Sequence, residues 1–122
     1  MHRALRFTGA VMTVVFLAGV SVTAMAASRS VEGRCLLEVQ QKQYLNGPCP
    51  LVLEADGGFT IGASEKRSLE YFAIVSITGK NTAEGFWNEE RGATHAHTNL
   101  GKLTRNGACW QNTQTKVCAW KD

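Results

Sequence analysis

A pair of cysteines near the carboxyl end, Cys109 and Cys118, constrains the fold of this chain more than any other feature of its sequence. When Gln111 is paired with Lys116 across a tight turn, the two cysteines fall opposite each other on neighbouring antiparallel strands. In a non-hydrogen-bonded pair of this kind the α-carbons lie about 4.5 Å apart, within the range that a disulfide spans. Residues 106–120 therefore predict a β-hairpin closed by a disulfide.

The turn of this hairpin carries its weakest signal, since the central residues Thr113 and Gln114 lack the Asn-Gly or Gly-X chemistry of two-residue turns. A four-residue loop over 112–115 would give the same opposition of the cysteines. The predicted register therefore does not depend on the type of turn.

Residues 1–26 have the pattern of a secretory signal peptide: basic residues, then an apolar run over 7–22, then small residues that end at Ala26. A retained membrane anchor is the competing interpretation, but the run contains glycine, serine and threonine and is shorter than the roughly 20 apolar residues of a membrane span. We expect cleavage after Ala26. Residues 27–122 are then one small exported domain, either periplasmic or secreted.

The charge of this mature domain is close to neutral. Of the 13 Lys and Arg residues, Arg3 and Arg6 leave with the signal peptide. The mature domain then has 11 basic and 10 acidic residues, a net charge of +1. No cluster of basic residues remains. Because binding to nucleic acid or to an anionic membrane needs such a cluster, we expect the partner to be a protein or glycan of the cell envelope.

Four cysteines in an exported chain favour two disulfides over a metal site. The intervening segments of thirteen and eight residues do not match the spacing of zinc ligands, and no C-x-x-C motif occurs. Cys35 with Cys49 is the expected second bridge, beside Cys109 with Cys118. The two crossed connectivities stay open, because four cysteines allow three pairings.

Turn signals recur about every 8 to 12 residues between Cys35 and Trp120, and no sustained helical period of apolar residues interrupts them. This pattern predicts an all-β domain: a small disulfide-stapled antiparallel meander, barrel or sandwich of roughly six to eight short strands. Residues 56–58, Asp-Gly-Gly, mark a hairpin turn between two apolar segments.

Local composition predicts three boundaries inside the domain. Residues 28–33 form a polar leader, so that the first strand begins at Arg34. Residues 46–48, Asn-Gly-Pro, break the next segment, and the prolines on both sides of Cys49 keep it out of a central ladder. Residues 62–70 form a polar connection across one end of the domain.

The longest stretch without an apolar period is 88–99, in a domain class where connections usually run about 4 to 6 residues. Loops carried on a rigid scaffold are the usual seat of recognition. We expect this loop to contact the partner through the five charged or imidazole side chains that it concentrates: Glu89, Glu90, Arg91, His95 and His97.

The same loop suggests one alternative function. His95 and His97 form a His-x-His motif that can supply two ligands to a metal ion, with Glu89 or Glu90 folding back as the third, as in a small metal-assisted hydrolase. However, no spacing in the chain sets a nucleophile beside a base, and neither G-x-S-x-G nor H-E-x-x-H occurs. We therefore expect no catalytic residues, no metal and no cofactor.

The tryptophans suggest another alternative, a carbohydrate-binding module that uses an exposed indole ring. In the closing hairpin Trp110 lies one step from Cys109, whereas Trp120 lies two steps from Cys118, so the two rings project from opposite faces. At most one of them can belong to the core, or to a single sugar-binding surface.

A stapled scaffold without a catalytic constellation favours a non-enzymatic binding domain, such as an inhibitor of a hydrolase or a partner of an envelope protein. Exported β-domains of this kind include periplasmic inhibitors of lysozyme and of proteases. That likeness is one of architecture alone.

Overall fold

The computed structural model describes residues 9, 12–15, 19 and 28–122. Most of the predicted signal peptide, residues 1–26, lies outside the described residues, so its removal stays a prediction. Residues 28–122 fold into eight antiparallel strands. Their bounds are β1 Arg29–Val39, β2 Lys42–Leu53, β3 Phe59–Ala63, β4 Ser68–Gly79, β5 Thr82–Trp87, β6 Thr98–Asn106, β7 Cys109–Gln111 and β8 Thr115–Lys121.

Each strand pairs with the next along the chain, and β1 also pairs with β8, which closes the sheet into a barrel. The prediction of an all-β, disulfide-stapled antiparallel fold is confirmed, with barrel as the architecture and eight as the strand number. No helix of the described residues is long and apolar enough to cross a membrane.

The core of the barrel follows from the two-residue alternation of its strands. In β5, Ala83, Gly85 and Trp87 point inward and are buried, while Glu84 and Phe86 point outward and are partly exposed. The same alternation in the other strands fills the interior with aliphatic and aromatic side chains, among them Leu37, Leu45, Leu51, Ile61, Ala73, Val75, Leu103, Trp110 and Val117.

The closing hairpin has the predicted register, with Gln111 opposite Lys116 and Cys109 opposite Cys118. Its turn is stabilised by Asn112. The backbone N–H of Asn112 donates to the carbonyl of Thr115 (3.0 Å), and its side-chain oxygen accepts from the N–H of Gln114 (2.9 Å). An Asx-type turn therefore replaces the missing Asn-Gly chemistry.

Both predicted disulfides are present, one on each side of the barrel wall. Cys109 and Cys118, with α-carbons 4.0 Å apart, lie beside the inward-facing Trp110 and Val117 and so belong to the outer face, although Cys118 is fully buried. Cys35 and Cys49 are buried in the interior, with α-carbons 5.7 Å apart. Directly opposite Cys49 stands Gly33, where a β-carbon would fall 2.7 Å from the Leu51 side chain. That β-carbon would also clash with the carbonyl oxygen of Trp120 in β8, so the close approach of β8 to β1 requires a residue without a side chain at position 33.

The predicted start of the first strand and the predicted break at 46–48 are both wrong. β1 begins at Arg29 because β2 continues through Gly47 and both prolines, so that residues 29–33 find partners from Leu53 back to Cys49. Pro48 and Pro50, which flank Cys49, do lie in a ladder, because both pair with residues of β1. The ladder from β2 to β3 covers only 51–53, so neither proline removes a hydrogen bond from it.

The predicted connection over 62–70 is much shorter in the structure, where only 64–67 separate β3 from β4. Gly62 has a φ of +86°, and the register shifts between Ile61 and Ala63, so β3 bends at a bulge and continues its pairing.

The β1–β2 turn is also short. Gln40 and Gln41 both adopt positive φ angles (51° and 68°), as a two-residue hairpin turn requires.

Removing the two bridges separately should destabilise the domain unequally. Replacing Cys109 and Cys118 with Ala should lower the free energy of unfolding by about 2 to 4 kcal/mol, through the freed unfolded chain. Replacing Cys35 and Cys49 with Ala should cost more, because both belong to the core cluster, whereas only Cys118 of the other pair is fully buried. Urea denaturation of the two double variants measures the difference, and an equal or smaller loss for the interior pair would contradict this placement.

Candidate functional site

The loop over 88–97 joins β5 to β6 at one end of the barrel, the end that also carries the β1–β2, β3–β4 and β7–β8 turns. It is two residues shorter than predicted, because Thr98 and Asn99 pair with Trp87 and Phe86 and so belong to β6. The loop is nonetheless the longest connection in the barrel. Its conformation is fixed by contacts with the start of β4.

A single buried side chain holds the loop. Asn88 is 5% exposed, and its amide oxygen accepts a hydrogen bond from the N–H of Phe72 (3.1 Å). Its amide nitrogen donates to the carbonyl of Glu70 (2.8 Å) in β4 and to the carbonyls of Glu90 (3.2 Å) and Ala93 (3.1 Å) in the loop. Asn88 therefore joins both ends of the turn over 90–93, which we call the loop turn, to strand β4.

Backbone hydrogen bonds also hold the loop, and two of them lie at Gly92 and Ala93. The N–H of Gly92 donates to the same Glu70 carbonyl (2.9 Å), and the N–H of Ala93 donates to the carbonyl of Glu90 (3.0 Å). Gly92 has a φ of +78°, a conformation that glycine adopts without steric cost. Backbone hydrogen bonds thus tie the loop turn both to β4 and to itself.

Arg91 is part of this support. Its Nε lies 2.5 Å from a carboxylate oxygen of Glu70, and both side chains are well exposed. The hydrogen bond that Arg91 donates to Glu70, followed by the charge of that carboxylate, raises the pKa of the Arg91 guanidinium above its ordinary value. An exposed ion pair of this kind contributes little to stability, and here it joins Arg91 of the loop to the start of β4.

The other four predicted residues line one open cleft of about 470 Å³. Glu89, Glu90, His95 and His97 share its wall with Asn88, Ala93, Thr94 and Thr98. The Glu89 carboxylate is held in place by the hydroxyl of Thr98, which donates to it at 2.7 Å. The structure therefore brings together the carboxylates and imidazoles that the sequence singled out, and sets Arg91 apart from them.

The imidazole rings of His95 and His97 lie next to each other, with ring centroids 5.2 Å apart and planes tilted by 34°. Both side chains are exposed. Within the described part of the chain, no group of three or more His, Cys, Asp or Glu side chains is close enough together to hold a metal ion. The third ligand proposed from Glu89 or Glu90 is therefore not assembled with the histidines.

Trp110 and Trp120 lie on opposite faces of the barrel wall, as the register of the closing hairpin predicts. Trp110 is buried in the barrel (7% exposed), whereas Trp120 projects outward and is 43% exposed. Trp87 is also buried, and its ring packs edge-on against Tyr44 with centroids 4.6 Å apart. Trp120 is accordingly the one tryptophan whose ring is available to a sugar.

Sequence reasoning missed the support for the loop, namely Asn88 as its anchor and Glu70 as the partner of Arg91. The strand alternation of β5 would place Asn88 on the outside of the barrel, and it is buried because the loop folds over it. Glu70 lies 21 positions from Arg91. No periodic signal in the sequence connects residues that meet in this way.

No protein-family model, no curated protein and no solved structure matches this chain significantly. Function is therefore argued from the site itself.

Replacing Asn88 with Ala should destabilise the domain by about 2 to 3 kcal/mol, because it removes four hydrogen bonds and leaves buried backbone groups unpaired. The matched control is Asn46→Ala, since the exposed Asn46 side chain donates only to Gln43. That change should cost under about 0.5 kcal/mol. Urea denaturation compares the two variants, and equal losses would show that Asn88 is not an anchor.

Proposed function

We propose that this protein is an exported, non-enzymatic binding domain that recognises a protein or glycan of the cell envelope through the cleft of the 88–97 loop. An inhibitor of a hydrolase and a partner of an envelope protein are the roles that suit it best. The observation that carries the proposal is the buried Asn88 amide, whose four hydrogen bonds hold an otherwise exposed and highly polar loop in one conformation.

A loop held in this way suits recognition because it loses little conformational freedom on binding. Ordering interface side chains and loops is among the main costs of association, and preorganisation reduces that cost. The barrel supplies a rigid support, and Asn88 transmits that rigidity to the loop. The exposed carboxylates and imidazoles are then presented at fixed positions.

The chemistry of the cleft indicates which partner groups it favours. Glu89 and Glu90 are acceptors, and the only basic side chain of the loop turn, Arg91, is paired with Glu70 away from the cleft lining. A cleft of this kind suits a ligand that presents hydrogen-bond donors or positive charge, such as an exposed Lys or Arg side chain or an amino sugar.

The proposed location is the periplasm or the extracellular medium. Two disulfides are typical of an oxidising environment outside the cytosol. The signal-like pattern of residues 1–26 favours the same route.

Glycan binding at Trp120 is the second candidate, favoured by the exposure of that ring. Arg34 lies directly opposite Trp120 across the β1–β8 pair, and a cavity of about 460 Å³ beside the ring is also lined by Asn46 and Lys121. A flat aromatic face beside hydrogen-bonding side chains is suited to a sugar ring. This surface lies on the barrel wall, apart from the loop cleft.

Capture from a solubilised envelope extract tests both surfaces. We expect wild-type protein to retain a specific protein or glycan, and the combined Glu89→Gln, Glu90→Gln, His95→Gln and His97→Gln variant to retain at least about tenfold less, because its acceptors are weakened. Retention is measured by mass spectrometry of the eluted protein and by sugar analysis.

Two controls make this capture experiment decisive. Glu65→Gln with Lys66→Gln changes exposed charges in the β3–β4 turn at the same end of the barrel, and it should retain the partner normally. Trp120→Ala should also retain it. Loss in the Trp120 variant with normal retention by the loop variant would assign binding to the tryptophan surface and overturn the loop proposal.

A further inference from the structure

The rings of the two loop histidines are as far apart as two imidazoles that share one metal ion. When two imidazoles bind one ion at metal–nitrogen distances of about 2.0 to 2.1 Å with a tetrahedral angle, their ring centres lie about 5 Å apart. The ring centroids of His95 and His97 are 5.2 Å apart.

The surroundings of the pair favour a cation. Glu89 and Glu90 line the same cleft, so two carboxylates lower the electrostatic potential near the imidazoles. Both rings are exposed, so an ion can reach them and keep water in its remaining positions. Arg91, the nearby cation, is held by Glu70 and is not among the residues lining the cleft.

We propose that His95 and His97 form a two-ligand site for a divalent transition metal that prefers imidazole, namely Cu²⁺, Ni²⁺ or Zn²⁺. The protein supplies two nitrogens, and the other coordination positions are open to water or to a donor atom from outside the chain. The site shares a loop with the proposed function but does not rest on it, since the ion binds the isolated protein.

Calorimetric titration with Cu²⁺, Ni²⁺ and Zn²⁺, each alone, tests the site on the disulfide-bonded protein. The experiment uses the mature domain over 27–122, in which His95 and His97 are the only imidazoles. We expect one ion per chain. Electron paramagnetic resonance of the Cu²⁺ complex should show coupling to two imidazole nitrogens.

The single variants His95→Gln and His97→Gln distinguish a shared site from two independent ones. Each should weaken binding at least about tenfold, because the second imidazole acts at high effective concentration once the first is bound. Glu65→Gln, an exposed change in the β3–β4 turn, should leave the affinity unchanged. A loss of only about twofold in each single variant, or no saturable binding by the parent protein, would overturn the proposal.

Discussion

Closure of the barrel by β1 and β8 is the constraint on which the rest of the structure depends. Every other strand pair joins neighbours along the chain, so this pair alone brings together the two ends of the domain, at the largest cost in loop-closure entropy. The two disulfides lie beside it. Cys35 of β1 lies opposite Ala119, and Cys118 of β8 lies opposite Leu36. Each strand of the closing pair is thus covalently fixed to its other neighbour, which favours a single register at closure.

The closed barrel gives the 88–97 loop a fixed surface on which to fold. Its contacts with β4 run through the carbonyl of Glu70, the N–H of Phe72 and the Glu70 carboxylate. Asn88 holds the loop turn to β4, and the carboxylate and imidazole side chains that line the cleft take no part in those hydrogen bonds to β4. This separation of supporting from displayed residues is what a preorganised binding surface needs, and few residues of the loop serve both purposes.

The parts of the structure that the sequence predicts are those set by local pattern. The closing hairpin follows from the spacing of Cys109 and Cys118, and the inward face of β5 follows from simple alternation. Local sequence pattern does not predict the structure where the residues that pair are far apart in the chain. Residues 29–33 look like a polar leader, and they become strand only because β2 runs on past its prolines to meet them. The clustering of glutamates and histidines was predictable for the same local reason, whereas the Asn88 anchor depends on a carbonyl 18 positions away.

Backbone order in the loop tests most directly whether it is a preformed surface. Nitrogen-15 relaxation of the disulfide-bonded protein gives order parameters for Gly92 and Ala93, whose N–H groups donate to Glu70 and Glu90. A loop anchored by Asn88 predicts values near about 0.85, equal to those of the neighbouring strands β5 and β6. Values below about 0.6 at both residues, with rigid strands on either side, would contradict it.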